Sequence, residues 1–109
     1  MLFRSGVSER VRFPGFREDV PAILKSIDLF VMPSHMEGLG TSVLDAMAAR
    51  APVVGTEAGG MTEMLRHGEN GLVCPVRDAP ALARALLVTR VRARFVRRGD
   101  LVYSWALAE

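Results

Sequence analysis

The feature that most constrains the fold is a regular alternation of short apolar segments with stretches that open on helix-start residues. The apolar segments end at proline or glycine and lie roughly 20 residues apart. They are residues 11–13, 29–32, 52–54 and 72–74. The first alternates apolar and polar residues, whereas the other three are continuous, as is typical of strands buried on both faces of a parallel sheet.

Helix-start signals follow each apolar segment. They are an aspartate ahead of a first-turn proline, or a threonine or serine that can act as an N-cap. The predicted helices cover residues 22–26, 43–50, 63–67 and 81–89, opened by Asp19, by Thr41 or Ser42, by Thr62 and by Asp78 respectively. Strand followed by helix, four times over, predicts an α/β fold built on an open, doubly wound parallel sheet.

Composition predicts a single soluble domain. The chain has 109 residues, half of them apolar. It contains no apolar stretch long enough to cross a bilayer and no signal-peptide pattern. The lone Cys74 excludes a disulfide framework and favours a reducing compartment, so a cytoplasmic location is expected.

Positive charge is concentrated at one end of the chain. The net charge is +2 at pH 7, but residues 84–109 carry six arginines against two acids. This arginine-rich segment suits either an anionic surface, such as lipid head groups or nucleic acid, or a solvated helix face. We favour the solvated helix face and expect no specific nucleic-acid binding, while peripheral membrane association stays open.

The loop between the second apolar segment and its helix is the strongest candidate site. Gly38 and Gly40 lie directly before the helix, where unpaired N–H groups favour an anion such as phosphate. The same glycines also suit a plain strand-to-helix turn. Glu37 and Asp45 lie on either side, and carboxylates accept hydrogen bonds from vicinal hydroxyl groups. A nucleotide sugar carries both phosphate and hydroxyls.

Asp45 is expected one turn inside this helix. It lies beside apolar positions that are expected to face the sheet, namely Val43, Leu44 and Met47. Both Asp45 and Glu37 are therefore expected to point at a common cleft.

Five motifs along the chain resemble those of a known family. They are residues 28–34, 37–47, 52–56, 59–63 and 68–73. In this order and at these intervals they resemble the C-terminal, donor-binding half of the family 4 glycosyltransferases of the GT-B fold, over about residues 10–87. The resemblance implies a Rossmann-like domain of a retaining transferase that is generally metal-independent, needs no cofactor and uses a UDP- or GDP-linked sugar.

The resemblance also implies roles for individual residues. Glu37 corresponds to the first acid of the family's paired-acid motif, which contacts the donor sugar, and is the implied catalytic residue. Asp45 stands at the second acid, which holds the ribose and is more commonly glutamate. Phe16 or Arg17 packs on the nucleobase. The backbone implied to lie against sugar hydroxyls and diphosphate belongs to Gly38, Leu39, Gly40 and Thr41.

Other polar residues are interpreted structurally. His35 is a loop residue, and His67 is a partner of a helix C-terminus. Glu63 follows the paired Gly59 and Gly60 and is a first-turn helix acid. No zinc-ligand spacing occurs, so no metal site is predicted.

Measured against the family, the sequence is expected to be N-terminally truncated and inactive alone. A strand and loop that supply an arginine and a lysine for the diphosphate are not recognised, nor is an N-terminal acceptor-binding domain. The predicted division is residues 1–9 without resemblance, 10–87 as a partial donor-binding domain, and 88–109 as a divergent arginine-rich segment, either a final helix or the product of a change of reading frame. The alternatives are a nucleotide-sugar epimerase of the same fold and a non-catalytic nucleotide-binding or interaction module.

Overall fold

The computed structural model of the chain describes residues 6–36, 38, 40–98 and 102–107. The chain alternates helix and strand from α1 to α4, as its sequence predicts. In chain order the described elements are one turn of 3-10 helix at Ser8–Arg10, α1 (Val20–Ser26), β1 (Phe30–Met32), α2 (Thr41–Ala48), β2 (Val53–Thr56), α3 (Met61–Met64), β3 (Leu72–Cys74), α4 (Ala79–Arg92), β4 (Ala93–Arg98) and β5 (Val102–Leu107).

Strands β1, β2 and β3 form a three-stranded parallel sheet in that order. Val54 at its centre pairs with Val31 of β1 and with Leu72 of β3. Helix α2 connects β1 to β2, and α3 connects β2 to β3, because parallel strands need a crossover between them. The predicted Rossmann-like α/β architecture is confirmed.

Both faces of the central strand are covered. All four residues of β2 are buried, and successive side chains of a strand point to opposite faces. On one face Val53 packs into a core built with α1, α2 and α3, whose other buried members are Leu24, Val43, Ala46, Ala51, Met61 and Leu65. On the other face Val54 and Leu72 are buried beneath α4, which packs on β2 and β3. Helices therefore lie on both sides of the sheet.

Residues 11–13 do not form the predicted strand. Phe13 is 77% exposed, and no described strand pairs with this segment. An extended backbone becomes part of a sheet only when a neighbouring strand takes its hydrogen bonds. The alternation of apolar residues at 11–13 therefore predicts a fourth parallel strand wrongly.

Glycines set the starts of two helices. Gly40 precedes α2 with a left-handed backbone (φ 67), and Gly60 precedes α3. The predicted N-caps Thr41, Ser42 and Thr62 consequently lie inside or at the first residue of their helices, and no side-chain cap bond forms there. Helix α3 also begins and ends earlier than the predicted stretch 63–67.

Two aspartates precede helices as predicted but bond differently. Asp78 Oδ1 accepts a hydrogen bond from the N–H of Ala81 at 3.0 Å, which is the N-cap arrangement. Asp19 precedes α1, which has Pro21 in its first turn, yet its carboxylate binds Arg17 instead of the helix.

The arginine-rich segment is not a single helix face. Helix α4 continues to Arg92, and the backbone proceeds directly into β4, which pairs antiparallel with β5. Its arginines divide between the two elements, with Arg84, Arg90 and Arg92 in α4 and Arg94, Arg97 and Arg98 in β4. The predicted helix face is therefore wrong for the second group. Within the described ranges, no helix is both long and apolar enough to span a membrane.

Candidate functional site

The carboxyl ends of β1, β2 and β3 lie along one edge of the sheet because the strands are parallel. Three loops leave from this carboxyl edge, at residues 33–40, 57–60 and 75–78. In open parallel sheets, ligands bind at this edge beside loops that lead into helices. The carboxyl edge is therefore the candidate functional site.

Two of these loops are joined by hydrogen bonds. The hydroxyl Oγ1 of Thr56, the last residue of β2, donates to the carbonyl oxygen of Ser34. The N–H of Gly60 donates to the carbonyl oxygen of Gly38 at 2.8 Å. The end of β2 and the loop after it therefore hold the loop that follows β1.

A cleft of about 280 Å³ opens at the carboxyl edge. One wall is Thr56, and the next residue, Glu57, donates its N–H to the carbonyl oxygen of Cys74 at 3.0 Å, so this wall is attached to β3. Arg77 also lines the cleft and has a left-handed backbone (φ 56), which a non-glycine residue rarely adopts. The remaining lining residues are Pro33, Pro75, Asp78, Ala79 and Leu82.

The two glycines before α2 are present for different reasons. Gly40 is buried and left-handed, a conformation that favours glycine. Gly38 is exposed, and a Cβ built there meets no atom within 4 Å. Packing does not require glycine at position 38, so its backbone is open to a ligand approaching the start of α2, where Thr41 is exposed. The predicted catalytic Glu37 and the predicted donor contact Leu39 lie outside the described residues.

Asp45 lines a second cleft, of about 340 Å³, between α1 and α2. Its neighbour Val43 is buried as expected, whereas Leu44 is 48% exposed, so the expectation that position 44 faces the sheet is wrong. Val43 and Ala46 occupy the core side of α2, and helical geometry then turns Leu44 outward. Thr56 does not line this second cleft, whose other residues are Val20, Pro21, Leu24, Lys25, Ala48 and Ala49.

Phe16 and Arg17 lie in the loop that leads into α1, close in sequence to the residues of the Asp45 cleft. Phe16 is 91% exposed, so its ring is open to a planar ligand. Arg17 donates two hydrogen bonds to the carboxylate of Asp19, at 2.8 and 2.6 Å. These hydrogen bonds lower the pKa of Asp19 and raise the pKa of Arg17, because they favour the charged form of each group.

The two histidines have different positions. His35 is exposed in the loop after β1. His67 is not at a helix C-terminus, as the sequence had suggested, because α3 ends at Met64; its Nδ1 instead accepts a hydrogen bond from the N–H of Val73 at 3.0 Å. Glu63 lies in the first turn of α3, as interpreted. Among the residues that the structure describes, no three His, Cys, Asp or Glu side chains are grouped to hold a metal ion.

Sequence reasoning missed two residues of the carboxyl edge. Thr56 is 3% exposed, and although it is the last residue of the motif at 52–56, the sequence assigned no role to it. Nothing in the sequence predicts the left-handed backbone of Arg77, because such a backbone is normally predicted from a glycine and position 77 is an arginine.

Comparison with known proteins places the chain among sugar transferases. A family profile described as "Glycosyl transferases group 1" matches residues 2–89. The chain is 41% identical over 98 residues to the lipopolysaccharide core biosynthesis glycosyltransferase LpsE of Rhizobium meliloti, covering 86% of the chain and 29% of the relative. It is 36% identical over 77 residues to the N-acetyl-alpha-D-glucosaminyl L-malate synthase of Bacillus anthracis, covering 71% of the chain and 20% of that enzyme. The chain thus spans less than a third of the length of these relatives.

Solved structures show the same likeness in three dimensions. Anabaena HepE in complex with UDP-glucose superposes with a TM-score of 0.77 and 34% identity, over 81% of this chain and 24% of HepE. The C-terminal domain of the group 1 glycosyltransferase LpcC from Francisella tularensis gives a TM-score of 0.67 and 26% identity, over 81% of this chain and 47% of that one.

Proposed function

Because the chain belongs to the group 1 glycosyl transferases, we propose that it forms the donor-binding part of an enzyme that transfers a sugar from a nucleotide-diphosphate sugar to an acceptor. The observation that carries the proposal is the donor loop, residues 33–40, which the end of β2 holds at the carboxyl edge directly before the start of α2. The likeness to HepE, solved with UDP-glucose, supports a UDP-linked donor over a GDP-linked one.

In this proposal the donor loop binds the sugar and the diphosphate. The carboxylate of Glu37 positions the donor sugar by accepting hydrogen bonds from the sugar's hydroxyl groups. The open backbone at Gly38 and the unpaired N–H groups at the start of α2 take the phosphate oxygens, because a helix N-terminus favours negative charge. Leu39, Gly40 and Thr41 complete this backbone surface.

The nucleoside is proposed to lie on the side of α1. Asp45 accepts hydrogen bonds from the ribose, supported by its place in the cleft between α1 and α2. Phe16 stacks on the base, supported by its exposure. Arg17 is the alternative base contact, although it must then share its guanidinium with Asp19.

Catalysis needs groups that we place outside these 109 residues. A leaving nucleoside diphosphate gathers negative charge in the transition state, and cations that stabilise it are usually the largest catalytic contribution. We propose that those cations belong to a further strand and loop of the donor-binding half, and the acceptor site to a separate N-terminal acceptor-binding domain, supported by the chain covering 24% of HepE. The reaction is proposed to retain the anomeric configuration without a metal or cofactor, and the chain alone binds donor without turnover.

The remaining parts of the proposal concern organisation and location. Residues 10–87 form the donor-binding unit, flanked by residues 1–9 and 88–109. The buried free thiol of Cys74 supports a reducing, cytoplasmic location. Peripheral membrane association through the arginine-rich segment remains a proposal of its own.

Calorimetric titration of the 109-residue chain with UDP-glucose, UDP and GDP tests the proposal. We expect saturable binding of UDP-glucose that Glu37→Ala and Asp45→Ala each weaken about tenfold, the loss expected for a charged hydrogen-bonding group. Glu9→Ala, which removes an exposed acid of the Ser8–Arg10 turn, is the matched control and leaves affinity unchanged.

The salt dependence of binding distinguishes donor binding from the alternative that the chain is a non-catalytic interaction module. Binding that weakens steeply with salt and disappears when residues 84–109 are deleted indicates an interaction module that uses its arginines. Absence of saturable binding to any of the three nucleotides contradicts the donor-binding proposal.

A further inference from the structure

Thr56 and Thr89 are the polar side chains that are buried to 3% exposure in the part of the chain whose burial is described. A buried hydroxyl needs a hydrogen-bond partner, and the two find theirs differently. Thr89 donates to the carbonyl oxygen of Ala85 at 2.8 Å, one turn earlier in its own helix. Thr56 instead donates to Ser34, in a different loop.

The Thr56 hydroxyl continues the link between β1 and β2 beyond their backbone pairing. The last pair of that register is Met32 with Gly55, and Pro33 has no N–H with which to extend it. Oγ1 of Thr56 also lies 3.4 Å from the carbonyl oxygen of Met32. The side chain therefore holds the backbone where it leaves β1 and enters the donor loop.

A second hydrogen bond holds the donor loop on the other side of position 37. The N–H of Gly60 donates to the carbonyl oxygen of Gly38 at 2.8 Å. Both donors belong to one stretch of chain, which is itself attached to β3 by the bond from Glu57 N–H to Cys74. The donor loop is thus attached on both sides of position 37 to an anchored segment.

We propose that Thr56 is a positioning residue for the donor loop. Its hydroxyl sets the path of the donor loop between Ser34 and Gly38, and so the placement of the Gly38 backbone against the donor sugar and diphosphate. The inference rests on the proposed function. Because Thr56 does not line the cleft of Asp45, loss of the hydroxyl weakens the sugar and diphosphate contacts and spares the nucleoside contacts.

The test compares two ligands on three variants of the 109-residue chain. The affinities for uridine, which has only the nucleoside contacts, and for UDP-glucose are measured by calorimetry on the unsubstituted chain, on Thr56→Val, on Thr56→Ser and on Thr89→Val. We expect the preference for UDP-glucose over uridine to fall about fivefold in Thr56→Val, the size of one net hydrogen bond, and to return in Thr56→Ser. Thr89→Val removes an equally buried hydroxyl and leaves the preference unchanged.

Equal losses for both ligands in Thr56→Val, the same change in Thr89→Val, or no rescue by Thr56→Ser overturns the inference, since each outcome indicates a general loss of stability.

Amide hydrogen exchange supplies a readout that needs no ligand. Faster exchange of the Gly60 N–H in Thr56→Val supports the inference, and an unchanged rate overturns it. If the unsubstituted chain binds neither ligand, the proposed function fails, and the exchange rate alone then decides whether Thr56 holds the loop.

Discussion

Gly71 lies so close to Val53 that a Cβ at position 71 would be 2.6 Å from the carbonyl oxygen of Val53. That oxygen belongs to the central strand, so it cannot move without disturbing the sheet. We expect Gly71→Ala to lower the free energy of unfolding by about 2 kcal/mol in urea denaturation. Gly38→Ala is the control, because open space around position 38 predicts a change within about 0.5 kcal/mol. Equal stabilities of Gly71→Ala and Gly38→Ala would show that the backbone of Val53 does not approach position 71 this closely.

The same control becomes a probe of function. Gly38→Ala leaves the fold intact, yet it adds a methyl group where the donor is proposed to approach the backbone. We expect it to weaken UDP-glucose binding about tenfold, measured by calorimetry. Unchanged affinity would mean that the donor does not approach position 38.

A substitution at Asp45 is expected to tighten binding of the nucleotide. Its carboxylate lies on α2 in the cleft beside α1, one methylene shorter than the glutamate that is more common in the resembled family. If it accepts hydrogen bonds from the ribose, Asp45→Glu extends its reach and tightens UDP binding about threefold, whereas Asp45→Asn weakens it. Equal affinities of Asp45→Glu, Asp45→Asn and the unsubstituted chain would remove Asp45 from the binding site.

Cys74 predicts a dependence of stability on alkaline pH. Burial raises the pKa of its thiol, and the charges of Asp78 and Glu57 raise it further. Above the ordinary value of 9.0 the unfolded chain loses this proton while the folded chain keeps it. The unfolded state then binds fewer protons, so stability falls with rising pH until the folded thiol also ionises.

The measurement is urea denaturation at about pH 8 and about pH 10, where the thiol titrates in the unfolded chain. We expect the unsubstituted chain to lose more stability between these values than Cys74→Ala, in which the other titrating groups remain. Parallel losses in the two proteins would show that the Cys74 pKa is the same in the folded and unfolded chains.

Patterns of neighbouring residues predict the three strands of the parallel sheet well. They fail where a strand depends on pairing with residues far away in the sequence. The apolar runs before Pro33, Gly55 and Pro75 correspond to β1, β2 and β3, and the two prolines do end their strands. Gly55 does not end β2, which continues to Thr56 because both residues pair with β3. At residues 11–13 the local pattern is equally strand-like, but pairing depends on a neighbour that the pattern does not contain. Glycine at position 40 likewise starts α2 in place of a hydroxyl cap, because a left-handed residue is needed there.

In the candidate site, too, the residues of one contiguous motif could be predicted, whereas a contact between distant residues could not. Gly38, Gly40 and Asp45 belong to one contiguous motif, so the sequence places them at the start of a helix after a strand. Thr56 acts on Ser34, which is 22 residues away, and nothing near Thr56 in the sequence indicates that bond.

The most direct test of the account is an NMR titration of the isotope-labelled chain with UDP-glucose, followed at the backbone amides. The account predicts saturable shifts at Gly38, Gly40, Thr41 and Asp45 and around Phe16. Shifts confined to the arginine-rich segment, or no shifts with the donor in large excess, would contradict the central claim that the donor loop and the start of α2 bind a nucleotide sugar.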